Sequence, residues 1–260
     1  MLIVERQRRI VRILKESGSA QLDDLAGALG VSASTIRRDL EALERRKLIE
    51  RTHGGAIYRG EQSESADHRG EALSSRIGEH VREKQAIARW VAAMVQPHMT
   101  LLLDGGSTVV YAARAITVRP LQVVTNSLVI ANHFADEDEV ELVLVGGYLY
   151  PRAGVMVGPI ATGCLADLYA DLCFFSLAAI HESAAYNINM DMARVEQMMI
   201  QQAARSVLLM DSSKFGRKSL VRVCGLSEVD QIVTDAGVSG EWSGRLGERL
   251  VVVPSRSPSL

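Results

Sequence analysis

The chain has 260 residues, room for one large domain or two smaller ones. Its 47% hydrophobic content supports a sizeable core and excludes wholesale disorder, and its net charge of -2 excludes a uniformly basic nucleic-acid coat. The charge is unevenly spread: residues 1–60 carry 12 Lys/Arg against 8 Asp/Glu, a net of +4, leaving 17 against 23, a net of -6, for the remainder. A basic head on an acidic body fits a small DNA-binding head attached to a soluble body. Cys164, Cys173 and Cys224 are too few and too widely spaced for a zinc site or a disulfide framework, so a reducing, cytoplasmic setting without metal or cofactor is expected. The opening MLIVERQRRI is too soon charged for a signal peptide, and no apolar run reaches membrane-spanning length.

Residues 5–17 read as a first helix with Ile10, Ile13 and Leu14 inward, ended by Gly18. Residues 22–29, LDDLAGAL, read as a short second helix with Asp23 and Asp24 in its first turn. Gly30-Val31 makes a tight turn, and Ser32 is a candidate N-cap for a third helix over SASTIRRDLEALERR. In that helix Ile36, Leu40 and Leu43 form one apolar stripe. Ser34, Arg38, Glu41 and Arg45 face away, with Thr35 and Arg37 on the flanks. Hydroxyls and helix N-terminal amides can hold phosphate, and arginine can pair bidentately with guanine. Taken alone, the helix also fits an ordinary amphipathic element with a solvated face. Its place in a helix-turn-helix favours the major groove. Leu48–Arg51 and Ala56–Tyr58 read as strands of a hairpin wing, whose paired glycines Gly54-Gly55 allow positive φ at the tip. Arg51 and His53 are placed to reach the DNA backbone or minor groove; His53 as a solvated turn residue is an equal alternative.

The run GALGVSASTIRRDLEALERRKLIERTHGGAI resembles the winged helix-turn-helix of the DeoR family of bacterial transcription regulators. That resemblance implies sequence-specific binding of double-stranded operator DNA, usually by a repressor. The implied DNA-binding residues are Ser32, Ser34, Thr35, Arg37, Arg38, Arg45, Arg51, His53 and Gly54.

Residues 59–70, RGEQSESADHRG, are polar and aperiodic and read as a linker between a head over 1–58 and a body over 71–260. Glu71–Val95 carries helical pattern; Arg76 and Lys84 in it match basic positions common in the family, and either can equally be a surface charge. From Thr100 apolar strands alternate with helices: strands at 101–103, 121–124, 140–145, 171–179, 207–210, 232–234 and 250–253, helices at 109–116, 128–134 and 192–204. That rhythm predicts a mostly parallel α/β sheet covered on both faces.

Ligands bind open α/β sheets at the carboxyl ends of the strands, and four polar loops fall there: DGGST, TNS, a Gly-Gly pair and DSSKFG. DGGST, between strand and helix, has the composition of a phosphate cradle, and Lys214 adds a point charge. Neither the Walker loop nor the dinucleotide fingerprint is present, which disfavours ATP and NAD. DGGST, VVTNSL, VLVGG and LLMDSSKFG are similar to the DeoR-type C-terminal sensor domain, which implies a ribose-5-phosphate-isomerase-like fold and a phosphorylated sugar or related small-molecule effector. The implied effector-binding residues are Asp104, Gly106, Ser107, Thr108, Thr125, Asn126, Ser127, Gly146, Gly147 and Lys214. Two segments depart from the family pattern: SLAAIHE, with Ala179 where glycine is common, and Glu196 at the position aligned with a family lysine. Glu196 then points elsewhere or the effector is unusual; His181 and Glu182 are alternative contacts, and equally fit polar loop residues with no such role.

The expectation is a repressor of a carbohydrate operon, a homodimer or homotetramer with no membrane partner, no catalytic residues and an effector that modulates operator affinity. A sugar-phosphate isomerase with an attached head is the alternative. A scaffold with a vestigial pocket is the third reading.

Overall fold

The structure is a computed structural model describing residues 3–45, 49–52, 54–58 and 72–254. His53 and the linker expected at 59–70 lie outside the described residues. The chain divides into two units, residues 1–67 and 68–260.

The first unit runs α1 (Ile3–Ser17), β1 (Ser19–Gln21), α2 (Leu22–Leu29), α3 (Ala33–Arg45), β2 (Ile49–Arg51) and β3 (Gly55–Tyr58). Ile10 and Leu14 of α1, Leu25 of α2 and Ile36, Leu40 and Leu43 of α3 pack into one core with Ile49 and Ala56. The apolar positions of α3 recur at helical spacing, so burying one stripe leaves the opposite face in solvent. Gly30 ends α2 in the left-handed region at φ +64° and turns the chain into α3. On the inner side of α3, buried Asp39 accepts hydrogen bonds from Arg6 Nε at 2.5 Å and Gln7 Nε2 at 3.2 Å, fixing α1 across α3.

The expected wing is present as antiparallel β2 and β3, and a short strand that periodicity does not reveal, β1, pairs along the far side of β3. This third strand changes the role of the glycines. Neither Gly54 nor Gly55 is in the left-handed region. A Cβ at Gly55 would instead lie 2.1 Å from the Ala20 carbonyl oxygen, so Gly55 is required for the close approach of β1.

The second unit opens with α4 (Leu73–Gly78) and α5 (Val81–Ala92), two helices where the sequence reads as one, separated at His80 with φ +48°. Then follow β4 (Thr100–Leu103), α6 (Ser107–Ala115), β5 (Leu121–Thr125), α7 (Leu128–Phe134), β6 (Val140–Leu144), β7 (Tyr148–Tyr150), β8 (Val155–Val157), α8 (Pro159–Ala166) and β9 (Ala170–Phe175). The chain continues through β10 (Ala179–His181), β11 (Ala184–Asn187), α9 (Met190–Gln201), β12 (Ala203–Leu209), β13 (Val221–Gly225), β14 (Gln231–Asp235), α10 (Gly240–Leu246) and β15 (Leu250–Val253). The strand expected over 171–179 is two strands, β9 and β10, which belong to different sheets.

The main sheet has seven strands, all parallel, in the order β15-β14-β12-β9-β4-β5-β6. Successive side chains point to opposite faces. Leu101, Leu103, Phe174 and Leu209 enter one core with α5 and α6; Leu102, Cys173, Phe175 and Leu208 enter the other, with α8, α9 and the antiparallel sheet β10-β11-β13. The chain builds outward from β4 to β6 and then returns to β9 beside β4. The direction of winding therefore reverses between β4 and β9, the switch point where such sheets open a crevice.

Gly55→Ala forces the new methyl against backbone and should destabilise the first unit by about 1–3 kcal/mol. Gly54→Ala meets only the end of the Gln21 side chain and should cost much less. Thermal unfolding of both variants checks this; equal Tm values would contradict it.

Candidate functional site

Two regions carry chemistry, one in each unit. In the first, the N-terminal turn of α3 is built from hydroxyls. Ser32 Oγ accepts from the Thr35 backbone N–H at 3.3 Å and lies 2.9 Å from both Ser34 Oγ and Thr35 Oγ1. Ser32 therefore caps the helix. Ser32, Ser34, Arg37 and Arg38 are exposed, because the register that buries Ile36 and Leu40 turns them outward. Arg51 differs from expectation: its guanidinium lies 3.3 Å from Glu41 and 3.8 Å from Glu44, and its backbone N–H donates to Glu44 Oε1, so it ties β2 to α3. Gly54 is exposed at the hairpin tip. The side chain of Arg45, like His53, lies outside the described residues.

In the second unit a cavity of about 200 Å³ opens at the switch point. Its floor is the β4–α6 loop, Asp104–Gly106, facing Ser176–Ala178 at the end of β9. Asp104 is buried, and its Oδ2 accepts the backbone N–H of Gly106 at 3.1 Å and of Ser176 at 3.4 Å, clamping the two loops together. Burial pushes this carboxyl above its ordinary value, opposed by those N–H donors and by the nearby Arg76 charge. A Cβ at Gly106 would lie 2.5 Å from Ser176 Cβ, so the clamp needs a glycine there. Gly106 is also the N-cap of α6, which brings the start of that helix to the cavity wall.

The rest of the wall is cationic and comes from separate segments. Arg76 is on α4, Arg152 in the β7–β8 turn, Lys214 in the short 3-10 turn Ser212–Lys214 after β12, and Arg217 just beyond. Burial lowers the Lys214 pKa; the Asp211 charge opposes that shift, and the Arg76 and Arg217 charges add to it. Four cationic side chains gathered at one cavity beside a helix start suit an anionic ligand. Tyr150, Asn187, Ile188 and Met192 complete the wall with mixed polar and apolar surface.

Of the effector residues expected from the sequence, Asp104, Gly106 and Lys214 line this cavity and the others do not. Ser107 and Thr108 are buried in the first turn of α6. Thr125 Oγ1 donates to the Leu103 carbonyl at 2.6 Å and accepts the Ser127 N–H, holding β5 to β4. Asn126 Nδ2 donates to the Met156 carbonyl at 3.2 Å, and Ser127 caps α7. Gly146 and Gly147 pack against α8 and β8. Their hydrogen bonds and packing serve the scaffold around the site. His181 ends β10 and Glu182 begins the β10–β11 turn, both outside the cavity lining. Arg76 stands out in the sequence through its resemblance; Arg152 and Arg217 carry no sequence signal, since both lie in loops.

Lys84 is buried, not a surface charge: its ammonium donates to the Arg76 and Glu79 carbonyls and holds the end of α4. Glu196 is also buried, one turn along α9 from the cavity residue Met192. It accepts a hydrogen bond from Asn187 Nδ2, and its Oε2 has no partner among the described residues. Burial first, then the Asp104 charge, pushes its carboxyl well above the usual range. Glu196 is thus withdrawn behind Asn187, which lines the cavity in its place.

The unfolded chain ionises this carboxyl near the ordinary Glu value of about 4.3. Stability from Glu196 is full below that value and is lost as pH rises toward its higher folded pKa. Glu196→Gln removes the titration while keeping an oxygen for Asn187. Its Tm gain over the wild type should be smallest near the ordinary Glu range and grow as pH rises; a margin independent of pH would contradict a raised Glu196 pKa.

Residues 6–62 match the DeoR-like helix-turn-helix domain and residues 79–236 match the DeoR C terminal sensor domain. Among curated proteins, the HTH-type transcriptional regulator GlpR of Haloferax volcanii is 35% identical, covering 93% of each chain. The L-fucose operon activator of Escherichia coli is 35% identical over 88% of this chain and 94% of its own. The glycerol-3-phosphate regulon repressor of Escherichia coli is 30% identical over 89% and 90% respectively. Matches across both units to one family, at these identities and over nearly the full length, show that the chain belongs to the DeoR family of transcriptional regulators.

Proposed function

We propose that this protein is a repressor of a carbohydrate-catabolism operon whose hold on its operator is released by a phosphorylated sugar or related metabolite. The head, residues 1–58, reads DNA through α3. Arg37 and Arg38 reach base edges in the major groove, and Ser32, Ser34 and Thr35 with the α3 amides hold the phosphates that fix register. The observation that carries this half is the exposure of Ser32, Ser34, Arg37 and Arg38 at the start of a helix whose opposite stripe is buried. The body, residues 71–260, senses the effector in the switch-point cavity. Lys214, Arg217, Arg76 and Arg152 neutralise an anionic group, while Gly106 and the start of α6 give backbone donors. One relative is named for a glycerol-3-phosphate regulon, which supports a phosphorylated compound, and another for an L-fucose operon, which supports a carbohydrate.

The cavity binds rather than turns over. Asp104, the one carboxylate among its described lining residues, accepts two backbone N–H groups through Oδ2, a structural duty at odds with a free general base. Release of the operator follows from population shift: an effector that prefers the non-binding arrangement of the heads draws the protein into it by its differential affinity alone. The reading includes a reducing, cytoplasmic setting, in keeping with the three free cysteines.

Arg38→Ala should cost roughly 1–3 kcal/mol of operator affinity and relax specificity at one position; uniform weakening across sequences would make it a phosphate contact. Operator affinity should also fall steeply with salt, as neutralised phosphates release counterions. Lys214→Ala should raise the effector concentration needed for release about 10–100-fold, the scale of a lost charge-assisted hydrogen bond, and leave operator affinity without effector unchanged. A Lys214→Ala variant that responds like the wild type would place the effector elsewhere.

A further inference from the structure

We propose that Asn187, aimed by Glu196, is the residue that reads an uncharged hydroxyl of the effector beyond its anionic group. The assignment rests on the reading of the cavity as the effector site. Asn187 ends β11 and lines the cavity with Ile188 and Met192, so this stretch brings one amide and two apolar side chains to a wall otherwise rich in cations. It offers no charge with which to hold a phosphate. At about 200 Å³ the cavity is smaller than the roughly 300–1,000 Å³ of sites for drug-sized ligands. A compound whose anionic group meets Lys214 and Arg217 therefore has little room to keep its remaining atoms away from Asn187.

The amide is held in one orientation. Its Oδ1 accepts the Ile188 backbone N–H at 2.7 Å, and its Nδ2 donates to Glu196 Oε1. These partners distinguish the two ends of the amide, since a backbone N–H needs an acceptor. Among the described residues each end keeps one unused position, a second N–H on Nδ2 and a second lone pair on Oδ1. A hydroxyl both donates and accepts, so it complements that pair. The register between β11 and β13 shifts between Ala185 and Tyr186, just before Asn187, and such irregularities re-aim side chains beside sites. Asn189 accepts the Asp191 and Met192 N–H groups and so fixes the start of α9, the helix that carries Glu196.

Glu196 is the more telling partner. It is buried, its Oε2 has no hydrogen bond among the described residues, and the contact its other oxygen makes is the one to Asn187. Burying a carboxyl with one oxygen unpaired is costly, and the single hydrogen bond it gains is the one that aims the cavity amide. Glu196 does not itself line the cavity, so it acts through Asn187 as a positioning residue.

Calorimetric titration of the full chain tests the assignment. The probes are inorganic phosphate, which engages the cations alone, and a panel of glycerol 3-phosphate with pentose and hexose monophosphates. In the wild type the best monophosphate should bind roughly 10-fold more tightly than inorganic phosphate, or better. Asn187→Ala should cut that ratio about 10-fold, and Glu196→Met should cut it by a similar factor. Glu196→Gln keeps an oxygen for Asn187 Nδ2 and should restore most of the ratio. The double variant Asn187→Ala/Glu196→Met should be no worse than Asn187→Ala, because both substitutions remove one and the same contact. Thermal melts establish which variants fold, and either single variant, once folded, decides the matter. A ratio left at the wild-type value, additive losses in the double variant, Glu196→Gln as impaired as Glu196→Met, or no monophosphate tighter than inorganic phosphate would each overturn the assignment. Phosphate binding that Lys214→Ala abolishes keeps the cavity as the effector site even if Asn187 fails; a wild type that binds neither phosphate nor any monophosphate overturns both.

Discussion

At the switch point of the sheet, one buried carboxylate holds two loops in place. Asp104 ends β4, and its Oδ2 takes the backbone N–H of Gly106 on its own loop and of Ser176 at the end of β9. Those strands are neighbours in the sheet but belong to opposite directions of winding. Without the clamp, the floor of the cavity and the start of α6 lose their fixed relation. The clamp exacts a cost in desolvation, which the N–H donors offset. It also dictates Gly106, since any side chain there collides with Ser176.

From that floor the electrostatics follow. Four cationic side chains reach the cavity from three segments, while burial pushes the nearby Glu196 carboxyl well above its ordinary value and the side chain turns to Asn187. The cavity wall is therefore predominantly cationic. An anion bound beside Lys214 would raise the depressed pKa of that ammonium, so binding and protonation of Lys214 support each other.

Much of this was legible in the residues. The α3 stripe of Ile36, Leu40 and Leu43 is long and periodic, and the parallel strands are continuous apolar runs, so elements and fold class follow directly. Short elements were hidden. β1 has three residues and no alternation to read, and β10, β11 and β13 pair through contacts distant in sequence. The site was half legible for a similar reason. Asp104, Gly106 and Lys214 sit in loops with the right composition, but Thr125 and Ser127 look equally polar and spend their hydroxyls inside the scaffold. Composition cannot distinguish a hydroxyl that meets a ligand from one that meets a backbone carbonyl. Arg152 and Arg217 become visible only when folding brings separate loops together.

The measurement that bears most directly on the account is release of the protein from a fragment of its own upstream region at fixed salt, titrated with matched pairs of phosphorylated and unphosphorylated sugars. The account predicts that one phosphorylated compound releases the operator while its unphosphorylated partner does not, because the cavity's cations recognise the anionic group. Release by the neutral sugar alone, or turnover of a pentose phosphate by the purified protein, would contradict it.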